Sequence, residues 1–420
     1  MQPRQFLDQY RHFAGLDFAR VADHHVVIVD AHGAVVFDQP LGQTDAAWRD
    51  FERAVEPLRP LAVAIETNNG PAVERLLAMK IDLYPMNPRA ARRFRECRVS
   101  SGVKDDALDA LSFADALRTA GHDWRPLGVE DEHTKHLRLL CRDEMQFTAQ
   151  RTALVNHLQA ALNEYYPTAL SVFDDWTRPS TWAFVLQFPT PQALLKKGRR
   201  KWENFLHANR LWREKTAEQK LDTLAAAGKA FSPTPAVTDA KSVLAICLAK
   251  QLITLQAQLD EYERLIAQAF EEHPDHDLFG SLPIPDGKTK PRLLGEIGTD
   301  PLRFDDADSL CELAGTAPVT RQSGQTRYVN FRRSCCLPLR NTVHWLADLS
   351  RGKCLWAEAY YKAKREQGKS HQTALRCLGG RWLKIIHRMI QTKQPYDGDR
   401  HMRDMAQHGS WVVQLIPAPA

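Results

Sequence analysis

Apolar residues in the first hundred positions come in short β-rich runs. Residues 13–18, HHVVIVD (24–30) and AVVFDQPL (34–41) are separated by VAD and AHG, which supply turn chemistry. They predict three antiparallel strands in a curled meander. A helical stretch around 44–55 precedes LAVAI (61–65), a wholly apolar run that suits a buried parallel strand, and KIDLYPM (80–86) offers a fifth strand after another helix. Further on the pattern turns helical. Residues 133–165 lack Pro and Gly, and Leu137, Leu140, Met145, Ala149, Leu154, Leu158 and Leu162 fall roughly at helical intervals, predicting one long helix. Residues 240–272 place Leu244, Leu248, Leu252, Leu255, Leu259, Tyr262 and Ile266 close to a coiled-coil spacing. An antiparallel hairpin within one chain satisfies the same spacing. The less regular insert between them carries Trp176, Trp182, Trp202 and Trp212, read as core. Three regions are expected: 1–125, 126–275 and 276–420.

The order βββαβαβα is that of a ribonuclease H-like α/β domain, in which the first strand sits beside the fourth. Asp17 lies in HFAGLDFAR, Glu66 closes LAVAIE, and Asp106 and Asp109 lie three apart in VKDDALDAL, where a helix puts both carboxylates on one face. Four acids gathered from two strand ends and a helix repel one another. A divalent cation with hard oxygen ligands is the usual compensation. Asp105 is the decoy for Asp106, and a solvated first helical turn is the plain alternative for the pair.

Charge sharpens this picture. The formal net charge is only +5, yet Arg321 to Lys393 contains sixteen Lys/Arg against three acids, a local excess that points to a polyanion. PRAARRFRECR (88–98) and KKGRRK (196–201) are smaller basic clusters, each equally readable as a solvated helix face. The eight cysteines show no CxxC spacing and are read as reduced packing thiols. No run of about 18 apolar residues and no apolar leader core is found, so a cytosolic protein without a membrane span is expected.

GSLPIPDGKTKPRLLGEIGTD (280–300) has the form of a helix-hairpin-helix, whose glycine-bearing turn offers backbone amides to a phosphate; a plain interhelical turn is the alternative. A basic, hydroxyl-containing segment follows, with Ser323 before Gly324 and between Arg321 and Arg327. On spacing alone Ser323 is an ordinary turn serine.

The succession GLDFA, AIET, KxDxxDA (Lys104, Asp106, Asp109, Ala110), RLLGEIG, LAGTAP, QSG and YYKAKREQGKSHQTAL, with YD at 396–397, resembles the DEDD transposases of bacterial insertion sequences, the bridge-RNA-guided serine recombinases related to a site-specific DNA invertase. The resemblance covers nearly the whole chain. It implies a RuvC-like N-terminal domain with Mg²⁺, or Mn²⁺, on Asp17, Glu66, Asp106 and Asp109. A coiled-coil region would assemble homo-oligomers, a dimer forming a tetramer, and a mainly α C-terminal domain would carry the nucleophile Ser323. Expected partners are donor and target double-stranded DNA and a noncoding bridge RNA. Arg89, Arg92, Arg93, Lys288, Lys290, Arg321, Arg327, Arg332 and Arg333 are the expected nucleic-acid contacts, with Arg321 and Arg327 clamping the scissile phosphate. The chain departs from the family in its Pro-containing hairpin loop and in RRSCCLPLRN (332–341), which replaces a Gly-Asn-Arg-rich stretch. A water-using Holliday-junction resolvase and a catalytically silent nucleic-acid scaffold are the rival functions.

Overall fold

Strands form where the apolar runs predict them: β1 (His12–Asp17), β2 (His24–Asp30), β3 (Val35–Leu41), β4 (Leu61–Ile65) and β5 (Asp82–Pro85). The computed structural model describes residues 3–98, 105–128, 131–230 and 233–416, and its contacts divide the chain into two units, 1–129 and 130–420. In the first unit the sheet order is β3-β2-β1-β4-β5. The pairs β1–β2 and β2–β3 are antiparallel, while β1–β4 and β4–β5 are parallel, which is the expected topology. Every residue of β4 is buried because helices cover both faces of the sheet. On one face Ala14, Leu16, Ile28, Val63 and Ile65 meet Trp48 and Phe51 of the helix Asp45–Val55 and Val73 and Leu76 of Pro71–Ala78. On the other, Phe13, Val29, Ala62 and Ala64 meet Phe113, Ala114 and Leu117 of the helix Asp106–Ala120.

Gly15 sets how closely that last helix lies. A Cβ at this position would sit 1.9 Å from the Ala110 carbonyl oxygen and 2.6 Å from the Ala114 backbone nitrogen. Only a residue without a side chain lets helix backbone rest on strand backbone here.

In the second unit the helices Glu132–Tyr165 and Pro235–Glu271 form one antiparallel hairpin, since Thr134 bonds to His273, Arg151 to Gln256 and Lys241 to Glu164. Leu248, Leu252, Leu255 and Leu259 are buried within this chain. The coiled-coil spacing is therefore satisfied internally, as the hairpin alternative has it. Pro235–Glu271 is also, among the described residues, the one helix long and apolar enough to cross a membrane by length and composition. It contains no unbroken apolar run of that length, and its buried leucines lie in the hairpin. Trp176, Trp182 and Trp202 are core residues.

A further core joins the helices Thr289–Ile297, Leu337–Arg351, Leu355–Glu366 and His371–Thr392 through Leu293, Leu339, Val343, Trp382 and Ile386. A two-stranded hairpin, β6 (Val319–Ser323) and β7 (Thr326–Asn330), is exposed at every residue except Val319. All eight cysteines are free thiols.

Candidate active site

Parallel pairing of β1 with β4 sets Leu16 opposite Ile65, so the next residues, Asp17 and Glu66, leave neighbouring strands at the same end of the sheet. Alternation along the strand fixes their side. Phe13 belongs to the core under the helix Asp106–Ala120, and Gly15 touches that helix, so Asp17 faces it too; Ala62 and Ala64 do the same on β4, and Glu66 continues their row. Both carboxylates are half-buried. The helix runs opposite to β1: Arg118, near its C-terminus, donates to the Ala31 carbonyl, next to Asp30, which pairs with His12 at the start of β1. Its first turn therefore lies toward the Asp17 end, and that turn carries Asp106 and Asp109.

Local structure separates the decoy from the candidate. Asp105 is the helix N-cap, its carboxylate accepting the Ala107 amide at 3.2 Å. That oxygen is engaged by the helix end. Asp106 is exposed and Asp109 is 4% exposed. Lys104 of the KxDxxDA motif lies outside the described residues.

Asp109 already has a cation. Nη1 of Arg95, on the helix Pro88–Arg98, donates to both of its oxygens at 2.8 and 3.0 Å. Four carboxylates offer only hard oxygen donors, the chemistry that suits Mg²⁺ or Mn²⁺. Their spacing departs from the expected closed cluster: among the described residues no group of three or more His, Cys, Asp or Glu is gathered tightly enough to hold a metal ion. The four acids share one end of the helix and sheet layer, but the Asp109 carboxylate is turned to a guanidinium. Neither Gly15 nor Arg95 was singled out from the sequence. GLDFA and PRAARRFRECR contain them, yet a tight helix contact and a tertiary ion pair leave no trace in residue spacing.

Ser323 ends β6, and Gly324 opens the two-residue turn to β7 with φ +57°, a conformation glycine supplies without strain. The hydroxyl is exposed, and among the described residues it makes no side-chain hydrogen bond. Register pairs Arg321 with Tyr328, Gln322 with Arg327 and Ser323 with Thr326. Arg321 thus shares the face of Ser323, whereas Arg327 lies on the opposite face. Of the two arginines expected to clamp the phosphate, Arg321 is the one on the Ser323 face of the hairpin.

The other basic candidates divide into available and engaged groups. Arg89, Arg92, Arg93 and Arg333 are exposed, although Arg92 pairs with Glu96 at 2.7 Å. Arg332 is half-buried and bound to Glu312 at 2.8 Å. Lys288 pairs with the buried Glu144 at 2.9 Å, and Lys290, only 7% exposed, donates to the Gly280 carbonyl and to Asp286. Both lysines, expected to meet phosphate, are here engaged in holding the loop between the one-turn helix His276–Gly280 and Thr289–Ile297 against the protein. In RLLGEIG, a Cβ on Gly295 would come within 3.0 Å of the Arg138 backbone, and buried Glu296 receives Arg142 at 2.7 and 2.9 Å, so this motif packs two helices together. Tyr396 bonds to Trp356, its hydroxyl pushed up to about 12 by burial, and Asp397 caps the helix Gly398–Gln407.

Two family profiles match this chain. A transposase family profile for the DEDD domain of IS110 elements matches residues 14–167, and a second, described as the transposase IS116/IS110/IS902 family, matches 277–362. The chain is 30% identical, over 94% of its length and 97% of the relative's, to the mini-circle putative transposase for IS117 of Streptomyces coelicolor. It is 26% identical to the insertion element IS900 uncharacterized 42 kDa protein of Mycobacterium paratuberculosis, over 91% of this chain and 96% of that one. The insertion element IS110 uncharacterized 43.6 kDa protein of Streptomyces coelicolor is likewise 26% identical, over 92% and 95%. The chain belongs to the IS110/IS116 family of transposases, enzymes that act on DNA.

Proposed function

We propose that this transposase breaks and rejoins DNA strands through Ser323, with Mg²⁺ or Mn²⁺ held by Asp17, Glu66, Asp106 and Asp109, and that a noncoding bridge RNA selects its donor and target duplexes. The observation that carries the reading is the placement of Asp17 and Glu66 on adjacent strand ends, on the face covered by the helix whose first turn bears Asp106 and Asp109. When bound, the ion supplies charge neutralisation and lowers the proton affinity of an attacking oxygen. The Ser323 Oγ attacks phosphorus, its proton is lost, and the 3′ oxygen leaves as a hydroxyl. Attack by a 3′ hydroxyl of the exchanged strand then displaces Ser323 and reseals the backbone. The phosphoserine conserves the bond energy, so no nucleotide hydrolysis is required. Arg321, on the same hairpin face, binds the phosphate, and the basic C-terminal segment holds nucleic acid in the cytoplasm, in a homo-oligomer assembled from dimers to a tetramer.

A second reading is a water-using resolvase. The two part on a covalent adduct. The protein, its RNA, Mg²⁺ and a target duplex nicked just beyond the scissile bond should yield a denaturation-resistant protein–DNA species that disappears in Ser323→Ala. Cleavage by Ser323→Ala at the wild-type rate removes the serine mechanism and leaves the resolvase. A protein that never cuts, with any metal, is a nucleic-acid scaffold.

A further inference from the structure

The helix Leu337–Arg351 leaves its largest aromatic residue in water. Trp345 is 58% exposed, beside a cavity of about 300 Å³ that it lines with Arg292, Asn341, His344, Met145 and Thr148. That volume lies at the small end of ligand pockets. Its wall is apolar on the side of Met145 and polar on the side of Asn341 and His344.

The polar groups here are short of partners. Arg292 Nε, His344 Nε2 and Arg376 Nε are buried without a hydrogen bond, three of the six such side-chain atoms among the described residues. Burial is costly for an unpaired donor, so a ligand that supplies acceptors gains from each. Cationic character is concentrated at the same place. Arg340 and Arg376 both lie over the Phe331 ring, at 5.1 and 4.1 Å from its centroid, and neither has an acidic partner among the described residues. The proton affinity of His344 is lowered by burial first, then by Arg376, Arg340 and His371, which keeps its imidazole neutral and able both to donate and to accept. The facing acid is Glu144, 1% exposed; burial alone would raise it, but Arg292 and Lys288 outweigh that and hold it ionised, leaving Arg340 and Arg376 uncompensated.

Resting on the nucleic-acid role above, we propose that this cavity receives one unpaired nucleotide, its base stacked on Trp345 and its edge bonded to Asn341 and His344, with the flanking phosphate on Arg340 and Arg376. The composition is that of a site for a base swung out of a helix: an aromatic plane, a side-chain amide that can pair with a base edge, and guanidinium groups for the backbone. A paired base presents no open face to Trp345, so the site discriminates between plain duplex and a duplex with an extrahelical residue.

The test uses the full chain and fluorescence anisotropy with three probes: a plain DNA duplex, the same duplex with one extrahelical 2-aminopurine, and the corresponding RNA bulge. Wild-type protein should favour a bulged probe by about tenfold and quench its 2-aminopurine. Trp345→Ala should abolish preference and quenching while keeping plain-duplex affinity, and Trp345→Phe should retain most of both. A stronger DNA bulge assigns the pocket to the recombining strands, and a stronger RNA bulge assigns it to the guide. Equal wild-type affinity for plain and bulged probes overturns the pocket alone, as does a preference that survives Trp345→Ala. Failure to bind any of the three overturns the nucleic-acid reading with it.

Discussion

Replacing Gly15 by alanine tests whether the acids depend on the helix contact. The added Cβ would stand 1.9 Å from the Ala110 oxygen, about 1.5 Å short of ordinary contact at 3.4 Å. Backbone lies on both sides, so no rotamer relieves the clash. Either the helix Asp106–Ala120 lifts from β1 or the strand moves, and each displaces Asp106 and Asp109 relative to Asp17. Overpacking of this kind costs ~1–3 kcal/mol, and misplacing catalytic groups by about 1 Å costs on the order of 10²-fold in rate. The assay is strand cleavage of insertion-element end DNA with Mg²⁺, beside circular dichroism and thermal melting of the same preparation. Gly15→Ala should remain folded, melt earlier and lose about 10²-fold in cleavage. Gly128→Ala, where a Cβ meets nothing within 4 Å, should match wild type in both. Wild-type cleavage by Gly15→Ala would refute the claim that this contact positions the acids.

Asp17→Asn and Glu66→Gln should abolish cleavage with melting nearly unchanged, because both groups are half-buried at strand ends. Asp109→Asn should also stop cleavage but lower stability by on the order of 2 kcal/mol, since it breaks the paired bonds from Arg95 to a buried carboxylate; equal melting for all three would contradict that ion pair. Asp105→Asn should be mild on both counts, asparagine being as good an N-cap as aspartate; a dead Asp105→Asn beside an active Asp106→Asn would reverse the assignment. Arg321→Ala should slow cleavage more than Arg327→Ala, measured at saturating DNA, because only the former shares the Ser323 face. On pH, buried His24 takes the Ala19 amide on Nδ1 at 3.2 Å, and burial lowers its proton affinity. The unfolded chain binds that proton more readily, so this stabilisation is complete above about pH 6.5 and is lost as pH falls through it. Melting temperature should drop between pH 7 and 5.5, less steeply in His24→Gln; an identical slope in the variant would exclude His24 as a contributor.

How far the residues could be read in advance depended on whether the determining contact was local. The wholly apolar LAVAI suited a strand buried on both faces and the VAD and AHG turns suited a meander, so the element order was legible, and its match to the ribonuclease H topology supplied the sheet order and the neighbouring ends carrying Asp17 and Glu66. Helical spacing likewise placed Asp106 and Asp109 on one turn. It did not distinguish Asp105 from Asp106; the register of KxDxxDA chose Asp106, and the structure adds that Asp105 caps the helix through the Ala107 amide. Charge was the least legible property, because a side chain's availability is decided by what folds against it. Lys290 looked like a phosphate contact and closes its own loop; Arg95 was one arginine among five in a basic cluster and holds the innermost acid of the site. Arg327 was flanking in sequence, yet the turn at Gly324 and the two-residue period put it behind the sheet. Conversely, the unpaired guanidiniums of Arg340 and Arg376 stand out only once their neighbours are known. A count of basic residues identifies the kind of partner, and the ion pairs formed on folding select which of those residues remain to meet it.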